Sequence, residues 1–346
     1  MTTAMLRFSG GLDATDWEAR YNAGDVPSRW PYGLDQLAEF GLVPMVERVV
    51  RRDSFSARAL RKVSGFDFPE LLGRPPSAVG DMLLCWDERS SVPALFLGRP
   101  DQRPVSTGVI WLTENFGGRR NYWIAKQALT RAHKIWTLST AQLPILIREF
   151  GLSRNRLAHL PFGVDAEFFT PADVGHEADY QLVVSAGNDR HRDFRTLLAA
   201  VRGLRRQVRP VRLELATRIR VDVPPEMGSS GELSHRALRD LYRRSAVVAI
   251  ATKPNVHVSG ITAILEAMAC GKAVIASHTE GMQDYVSHNV NGVLVPPGNP
   301  DALAEAIGDL LRDPARAQAL GAAGRQSVEA IFNTREQARR LADIVS

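Results

Sequence analysis

Residues 257–277, HVSGITAILEAMACGKAVIAS, contain one complete unit of the structure that we expect throughout the chain. A small polar turn leads into a run with helical spacing, Gly271 ends that run, and a short apolar strand follows. Ser259 is a suitable N-cap, because its hydroxyl can accept a hydrogen bond from the free amides of a first helical turn. The stretch therefore predicts a helix followed by a strand of an open parallel sheet.

The same alternation continues on both sides of this stretch. Short apolar runs predict strands at residues 5–9, 81–88, 106–112, 134–139, 181–187, 211–217, 246–252, 273–277 and 292–296. Helical spacing predicts helices at residues 118–132, 140–151, 194–206, 234–244, 260–270, 301–312 and 315–342. Strands that alternate with helices are typical of α/β proteins with doubly wound parallel sheets.

A break in the pattern at residues 160–180 predicts the join between two domains. Prolines, glycines and acids accumulate there and no periodicity survives. A chain of 346 residues suits two domains of about 150 residues each. We therefore expect an N-terminal domain at 1–165, a C-terminal domain at 166–330 and a terminal helix at 331–346 that packs back toward the first domain.

Composition indicates a globular protein without a resident metal. Hydrophobic residues make up 45% and charged residues 23% of the chain. No apolar run reaches the roughly 18 residues that span a bilayer, and the N-terminus lacks a signal-peptide core, so we expect a cytoplasmic protein. Cys85 and Cys270 lie in apolar segments and are predicted to be buried thiols. The histidines show no local metal-ligand spacing, so no metal site is expected.

The start of the predicted helix at Gly260 is suited to a phosphate group. A helix N-terminus carries free N–H groups and a partial positive charge, and glycine allows close approach to the backbone. Ser259, Thr262 and Glu266 share one helix face, and Glu266 lies roughly 6 Å beyond Thr262 at 1.5 Å per residue. At that distance a carboxylate can accept hydrogen bonds from the hydroxyls of a ribose. The alternative is an amphipathic helix with a solvated acid.

The segment 265–311, LEAMACGKAVIASHTEGMQDYVSHNVNGVLVPPGNPDALAEAIGDLL, resembles the retaining, nucleotide-sugar-dependent glycosyltransferases of the two-Rossmann-domain (GT-B) type, glycosyl transferases group 1. PFGVDAEFFTP at 161–171 and VVSAGNDRHRDFRTLLAAV at 183–201 resemble further segments of that family. The resemblance covers nearly all of the second half and is poor before about residue 130. It implies two Rossmann-like domains facing across a cleft, the first binding an acceptor and the second a nucleoside-diphosphate sugar.

The resemblance also implies roles for single residues. Glu266 matches the family's ribose-binding acid, and Arg192 matches the basic residue that grips the diphosphate. Asn188 stands where a second phosphate-binding arginine is common, and Val258 stands where a glutamate usually contacts the donor sugar. We therefore expect that nucleotide binding is kept and that the sugar contact is rebuilt, either by Val258 packing against the sugar or by one of the polar neighbours His257, Ser259 and Thr262.

The chemistry that the resemblance implies is transfer to an acceptor hydroxyl with retention, from a UDP-sugar by preference. No Asp-x-Asp motif for a metal was found, so Arg192, the helix N-terminus and Lys253 are expected to stabilise the departing nucleotide without a metal or a further cofactor. Gly187 and Gly281 lie in the loops that are expected to approach the donor. Asp87 and Glu114 follow predicted strands in the first half and are the candidates for the catalytic carboxylate, with a loop carboxylate or a helix cap as the alternative for each.

Other interpretations explain fewer features of the sequence. The loop with Gly10 and Gly11 lacks the G-x-G-x-x-G spacing of a dinucleotide site, which argues against an NAD-linked oxidoreductase. Basic segments without interleaved aromatics argue against nucleic-acid binding. Residues 117–134 are basic and aromatic, and they fit either a packed helix or contact with an anionic membrane at its inner face. Trp30 and Tyr32 fit either an acceptor site or the core. An inactive relative that still binds a sugar nucleotide is the main alternative function.

Overall fold

Within the residues that the structure describes, each of the two compact units of the chain contains one parallel sheet of six strands. The first unit comprises Met1–Arg20, Arg29–Pro161 and Gln337–Ser346, and the second comprises Tyr21–Ser28 and Phe162–Glu336. The computed structural model describes residues 2–9, 12, 14–47, 54–71, 80–98, 103–114, 118–173, 179, 181–206 and 211–346. None of the helices in these ranges has both the length and the apolar character needed to cross a membrane.

The first sheet has the strand order β2-β1-β3-β4-β5-β6. Its strands are β1 (Thr2–Arg7), β2 (Leu42–Val46), β3 (Met82–Cys85), β4 (Val105–Gly108), β5 (Ile135–Thr137) and β6 (Leu157–His159). The helices between them are α1 (Ala14–Asn22), α2 (Phe55–Ser64), α3 (Phe68–Leu71), α4 (Glu88–Leu97), α5 (Gly118–Leu129) and α6 (Gln142–Arg148), with 3-10 turns at Pro31–Phe40, Leu112–Glu114 and Arg154–Arg156.

The second sheet has the strand order β12-β11-β10-β7-β8-β9. Its strands are β7 (Leu182–Ala186), β8 (Arg212–Ala216), β9 (Gly228–Gly231), β10 (Val247–Ile250), β11 (Ala273–Ser277) and β12 (Val293–Val295). The accompanying helices are α7 (Phe194–Arg205), α8 (His235–Arg244), α9 (Ile261–Ala269), α10 (Pro300–Arg312), α11 (Pro314–Ala330) and α12 (Thr334–Val345), with a 3-10 turn at Met282–Asp284.

These two parallel sheets confirm the predicted α/β class and its doubly wound plan. In the second sheet the chain leaves β7 toward β8 and β9, then returns to build β10, β11 and β12 on the other side. The connections that follow the neighbouring parallel strands β7 and β10 therefore run toward opposite edges of the sheet. In open sheets of this kind, ligands bind beyond the carboxyl ends of the strands at such a switch point.

The predicted helix 315–342 is wrong, because Asn333 divides it into α11 and α12. The side-chain nitrogen of Asn333 donates to the carbonyls of Val328 (3.2 Å) and Glu329 (2.8 Å), which lie in the last turn of α11. Its side-chain oxygen accepts from the amide of Glu336 at 2.8 Å, in the first turn of α12. One side chain thus satisfies free backbone groups at the end of one helix and the start of the next.

The segment that the sequence suggested as a linker is part of the second unit for much of its length. Phe162, Val164 and Phe169 are buried. The Asp165 carboxylate accepts hydrogen bonds from the amide (2.7 Å) and hydroxyl (3.0 Å) of Ser28. Residues 162–171 are therefore fixed by apolar burial and hydrogen bonds, although they show no regular hydrophobic period.

One hydrophobic cluster in the core of the second unit predicts a large effect for a central residue. Ile275 on β11 is fully buried with Val247, Leu197 and Ile307. Ile275→Ala should lower the free energy of unfolding by about 2–5 kcal/mol through lost burial and a cavity. The thermal midpoint should then fall by on the order of 10 °C. The matched control is Val290→Ala, since Val290 is 63% exposed; equal midpoint shifts for the two variants would contradict this packing.

Candidate functional site

The candidate site is built on the loops that follow β7 and β10, at the switch point of the second sheet. Backbone hydrogen bonds join the two loops: the amide of Lys253 donates to the carbonyl of His191 (2.8 Å), and that of Asp193 to Ala251 (2.9 Å). Arg192 and Thr252 also form an antiparallel bridge. The two loops therefore present their side chains as one connected surface.

Arg192 is a buried cation that its protein neighbours satisfy only in part. Its Nη2 donates to the carbonyl of Ala186, whereas Nε and Nη1 have no hydrogen-bond partner among the described residues. Burial lowers the pKa of Arg192 to about 10, an effect that Tyr242, Asp189 and Glu266 oppose, so the group stays charged at neutral pH. Buried N–H groups of a guanidinium that lack acceptors are costly, and they suit an oxyanion.

Two glycines pack against the Arg192 guanidinium. Gly187 has φ +131° and Gly260 has φ +93°, both in the region that L side chains rarely adopt. A Cβ at Gly187 would overlap the Arg192 side chain, and a Cβ at Gly260 would lie 2.5 Å from Nη1. Gly187 and Gly260 thus lie beside the guanidinium, and the approach of a donor to their loops stays a prediction.

Helix α9 begins one residue later than predicted, and Ser259 is not its N-cap. Gly260 is the N-cap residue, in the left-handed conformation and without a side-chain cap. The amide of Ser259 donates instead to Asn255 Oδ1 (2.9 Å), and its hydroxyl to Asp189 Oδ1 (2.9 Å). The Ser259 hydroxyl is therefore committed to the loop after β7 rather than to the helix.

Glu266 lies in the middle of α9, as predicted, and is buried. Its Oε2 accepts a hydrogen bond from the Tyr242 hydroxyl at 3.1 Å. Burial raises the pKa of Glu266 to about 8, against the opposing effects of the Tyr242 hydrogen bond and the Arg192 charge. Burial and the Arg192 charge therefore act in opposite directions on the pKa of the Glu266 carboxyl group.

Val258 does not present its side chain to an open surface. It is 1% exposed, and its φ of +51° is unusual for a β-branched residue. Such strain occurs where the surrounding structure fixes the backbone, often at functional sites. The interpretation that Val258 packs directly against a donor sugar is therefore wrong, because protein atoms already cover its side chain.

Asp189 is a central residue of the site that the sequence analysis missed. Its Oδ1 accepts from the amide of His191 (2.7 Å) and from the Ser259 hydroxyl, and it lies 3.2 Å from His191 Nδ1. Its Oδ2 lies 3.2 Å from His257 Nε2. Burial would disfavour the carboxylate, but the hydrogen bonds and the charge of His257 hold the pKa of Asp189 well below its usual range.

The other residues that were predicted to contact the donor substrate differ in their surroundings. The side-chain oxygen of Asn188 accepts from the amide of Arg218 (2.6 Å) and the hydroxyl of Thr217 (3.2 Å), so Asn188 fixes the loop after β8. The side chains of Lys253 and Thr262 are exposed. Gly281, with φ +85°, begins the short 3-10 turn after β11. That these four residues contact the donor substrate stays a prediction.

In the first unit, Asp87 caps helix α4. Its Oδ1 accepts from the amides of Arg89 (3.0 Å) and Ser90 (3.3 Å), and its Oδ2 from the Ser9 hydroxyl (2.6 Å). Burial raises the pKa of Asp87 to about 6. Gly10 and Gly11, from the loop beside Ser9, lie outside the described residues. Asp87 therefore acts as a helix cap, which was the alternative to a catalytic role. A carboxyl group with such a pKa can also exchange protons near neutral pH.

A second buried carboxyl group, Glu88, was not anticipated. Its two oxygens accept from the amides of Ile110 (2.8 Å) and Trp111 (2.7 Å), and burial raises its pKa to about 7. It thereby connects α4 to the loop after β4. Glu114, the other predicted catalytic candidate, is half-buried at the end of the turn Leu112–Glu114.

The aromatic and basic segments of the first unit have mainly structural contacts. Tyr32 stacks on Trp86 with ring centroids 4.2 Å apart, which favours the core interpretation. In α5 and the following turn, the side chains of Lys126, Arg131 and Lys134 donate to backbone carbonyls, which favours a packed helix. Trp123 is 59% exposed; a membrane contact through residues 117–134 stays a prediction.

Comparison with known proteins finds a family match within the second unit. Residues 223–327 match the family "Glycosyl transferases group 1". D-inositol 3-phosphate glycosyltransferase of Xylanimonas cellulosilytica is 30% identical over 231 residues, which cover 58% of this chain and 53% of that protein. The chain thus spans about half the length of this relative.

Solved structures share the fold of the whole chain. Sucrose-phosphate synthase from Thermosynechococcus elongatus has a TM-score of 0.72 at 21% identity, covering 99% of this chain and 98% of its own. HepE of Anabaena, solved in complex with UDP-glucose, has a TM-score of 0.68 at 15% identity and covers 99% of each chain. The second unit therefore carries a domain of the glycosyl transferases group 1 family, in a chain with the GT-B fold.

Proposed function

We propose that this chain is a glycosyltransferase that moves a hexose from a nucleoside-diphosphate sugar to an acceptor hydroxyl. The observation that supports this most directly is the buried Arg192 guanidinium, whose Nε and Nη1 have no acceptor among the described residues. It packs against the backbone of two glycines, where a Cβ would overlap the guanidinium. A diphosphate supplies the negative oxygens that such a group requires.

The nucleoside end of the donor is assigned to Glu266. A carboxylate can accept two hydrogen bonds from the adjacent hydroxyls of a ribose, and Tyr242 orients the Glu266 carboxyl group from the protein side. UDP is the nucleotide that we propose, and HepE, which shares the fold, was solved with UDP-glucose. No cofactor beyond the donor substrate is part of this proposal.

Departure of the nucleoside diphosphate develops negative charge that must be stabilised. Arg192 supplies a fixed positive charge in a buried setting, where electrostatic stabilisation is stronger than in water. The amino terminus of α9, begun by Gly260, adds partial positive charge. We propose that these groups stabilise the departing nucleotide without a metal. We also propose that Asp87 or Glu114 of the first unit is the catalytic carboxylate.

The contact to the donor sugar is proposed to involve the Asp189 network. Val258 is covered, and its neighbours His257 and Ser259 are both bonded to Asp189. This arrangement supplies an oriented imidazole and a carboxylate where related sequences have one glutamate. The competing function is binding of a sugar nucleotide without transfer.

Nucleotide titration is the first test of the proposal. We expect one of UDP, GDP and ADP to bind the protein in the presence of EDTA, and NAD not to bind. Glu266→Ala should weaken that binding by about tenfold or more, since it removes charge-assisted hydrogen bonds of about 1.5–3 kcal/mol. Calorimetry measures both affinities.

Val258→Ala is the matched control for Glu266→Ala, because both shorten a buried side chain of the same segment. We expect it to change nucleotide affinity less than about threefold, since Val258 has no polar group to offer. Equal losses in the two variants would argue that Glu266 acts through folding alone. No binding of any nucleotide would overturn the proposed function.

Nucleotide binding should release protons below pH 8. Burial raises the pKa of Glu266 to about 8 in the ligand-free chain. Hydrogen bonds from ribose hydroxyls favour the charged form, so the pKa falls in the complex and a proton leaves. Affinity should therefore rise from pH 6.5 toward pH 8. Calorimetry in two buffers of different ionisation enthalpy measures the released protons, and Glu266→Gln should abolish the part due to this residue.

Retention of configuration is the proposed stereochemical outcome. With the nucleotide identified, incubation with its α-linked sugars and a panel of hydroxyl acceptors should yield an α-linked product. The one-bond carbon–hydrogen coupling at the anomeric centre, measured by NMR, distinguishes the two configurations. A β-linked product would exclude retention, whereas sugar-nucleotide binding without turnover across a broad panel would favour the non-catalytic alternative.

A further inference from the structure

We propose that Asp189, His191 and His257 form a binding site for a divalent transition-metal ion of the zinc type. One ligand atom from each residue lies within 4.8 Å of the others. The two histidines are 66 positions apart, and the pairing of the loops after β7 and β10 brings them together. The proposal goes beyond the transfer reaction and does not depend on it.

The ligand atoms have the chemistry and spacing of such a site. Zinc binds imidazole nitrogens at about 2.0–2.1 Å and carboxylate oxygens at about 2.0–2.2 Å, so neighbouring ligand atoms in a tetrahedral site lie about 3.3 Å apart. Asp189 Oδ2 lies 3.2 Å from His257 Nε2, which matches this spacing, and one ligand atom from each of the three residues lies within 4.8 Å of the others. Two imidazoles and one carboxylate would leave the fourth position for water or a substrate oxygen.

The carboxylate is also held in place by groups outside the ligand set. The amide of His191 and the hydroxyl of Ser259 donate to Asp189 Oδ1, at 2.7 and 2.9 Å. Metal-ligating carboxylates are commonly oriented by such hydrogen bonds. Because these donors use one oxygen, Asp189 Oδ2 can serve as the ligand atom while they keep its orientation.

Access and selectivity follow from the surroundings. The His257 side chain is 3% exposed, while those of His191 and Asp189 are 16% and 23% exposed, so an ion reaches the cluster past His191 and Asp189 rather than past His257. Imidazole nitrogens select zinc, cobalt and nickel over magnesium, which prefers an octahedron of oxygens. Zn²⁺ and Co²⁺ are therefore expected to bind, and Mg²⁺ at the same concentration is not.

Direct metal titration of the full chain tests the site. Tag-free protein, stripped with EDTA and dialysed into a non-chelating buffer, should bind about one equivalent of Zn²⁺ in competition with a chromogenic chelator. Co²⁺ should give the visible absorption of a low-coordinate site. His257→Gln and the more exposed His191→Gln should each weaken Zn²⁺ binding by at least about tenfold, since even outer groups contribute about 10–100-fold.

The controls separate metal binding from folding and from the proposed function. Ser259→Ala should weaken Zn²⁺ binding by about tenfold as an outer group, and His133→Gln, at an exposed histidine of the first unit, should leave it unchanged. Thermal unfolding without metal identifies any variant that is misfolded. Absence of stoichiometric binding, or unchanged affinity in both histidine variants, would overturn the proposal. Nucleotide titration in EDTA tests the transferase separately.

Discussion

The burial of Arg192 is the constraint on which the second unit's site depends. A guanidinium removed from water must find acceptors, and among the described residues the carbonyl of Ala186 accepts from only one of its nitrogens. The charge nevertheless persists, because burial lowers its pKa only to about 10. Gly187 and Gly260 are glycines because the guanidinium lies against their backbone. The site is therefore shaped around a cation that an anionic ligand would complete.

Sheet topology explains why this cation lies where it does. β7 and β10 are neighbours, but the chain between them builds β8 and β9, so their loops come from distant parts of the sequence. Backbone pairing of His191 with Lys253, and of Arg192 with Thr252, joins those loops. The resulting surface carries the donors of Arg192, the start of α9 and the Asp189 network. A single crossover thus accounts for both the phosphate proposal and the metal proposal.

The two departures from the related sequences have different structural meanings. Asn188 binds the loop after β8 through Arg218 and Thr217, so this position stabilises the loop. Val258 is buried in a left-handed conformation that costs a β-branched residue energy. Its two neighbours point their polar groups at Asp189. The Asp189 carboxylate, from another loop, therefore lies beside the position where the resemblance implies a glutamate.

The sequence by itself determined the fold class and most strand positions. Apolar runs alternating with amphipathic helices leave few alternatives to parallel sheets, whereas the roles of Arg192 and Glu266 rest on the family resemblance and stay predictions. Tertiary structure decided the rest, because hydrogen bonds between distant loops leave no local period. Asp189 gains its role from residues about 70 positions away. The Ser259 hydroxyl donates to that carboxylate instead of capping a helix. Asn333 interrupts a continuous helical pattern, because its side chain caps the end of α11 and the start of α12.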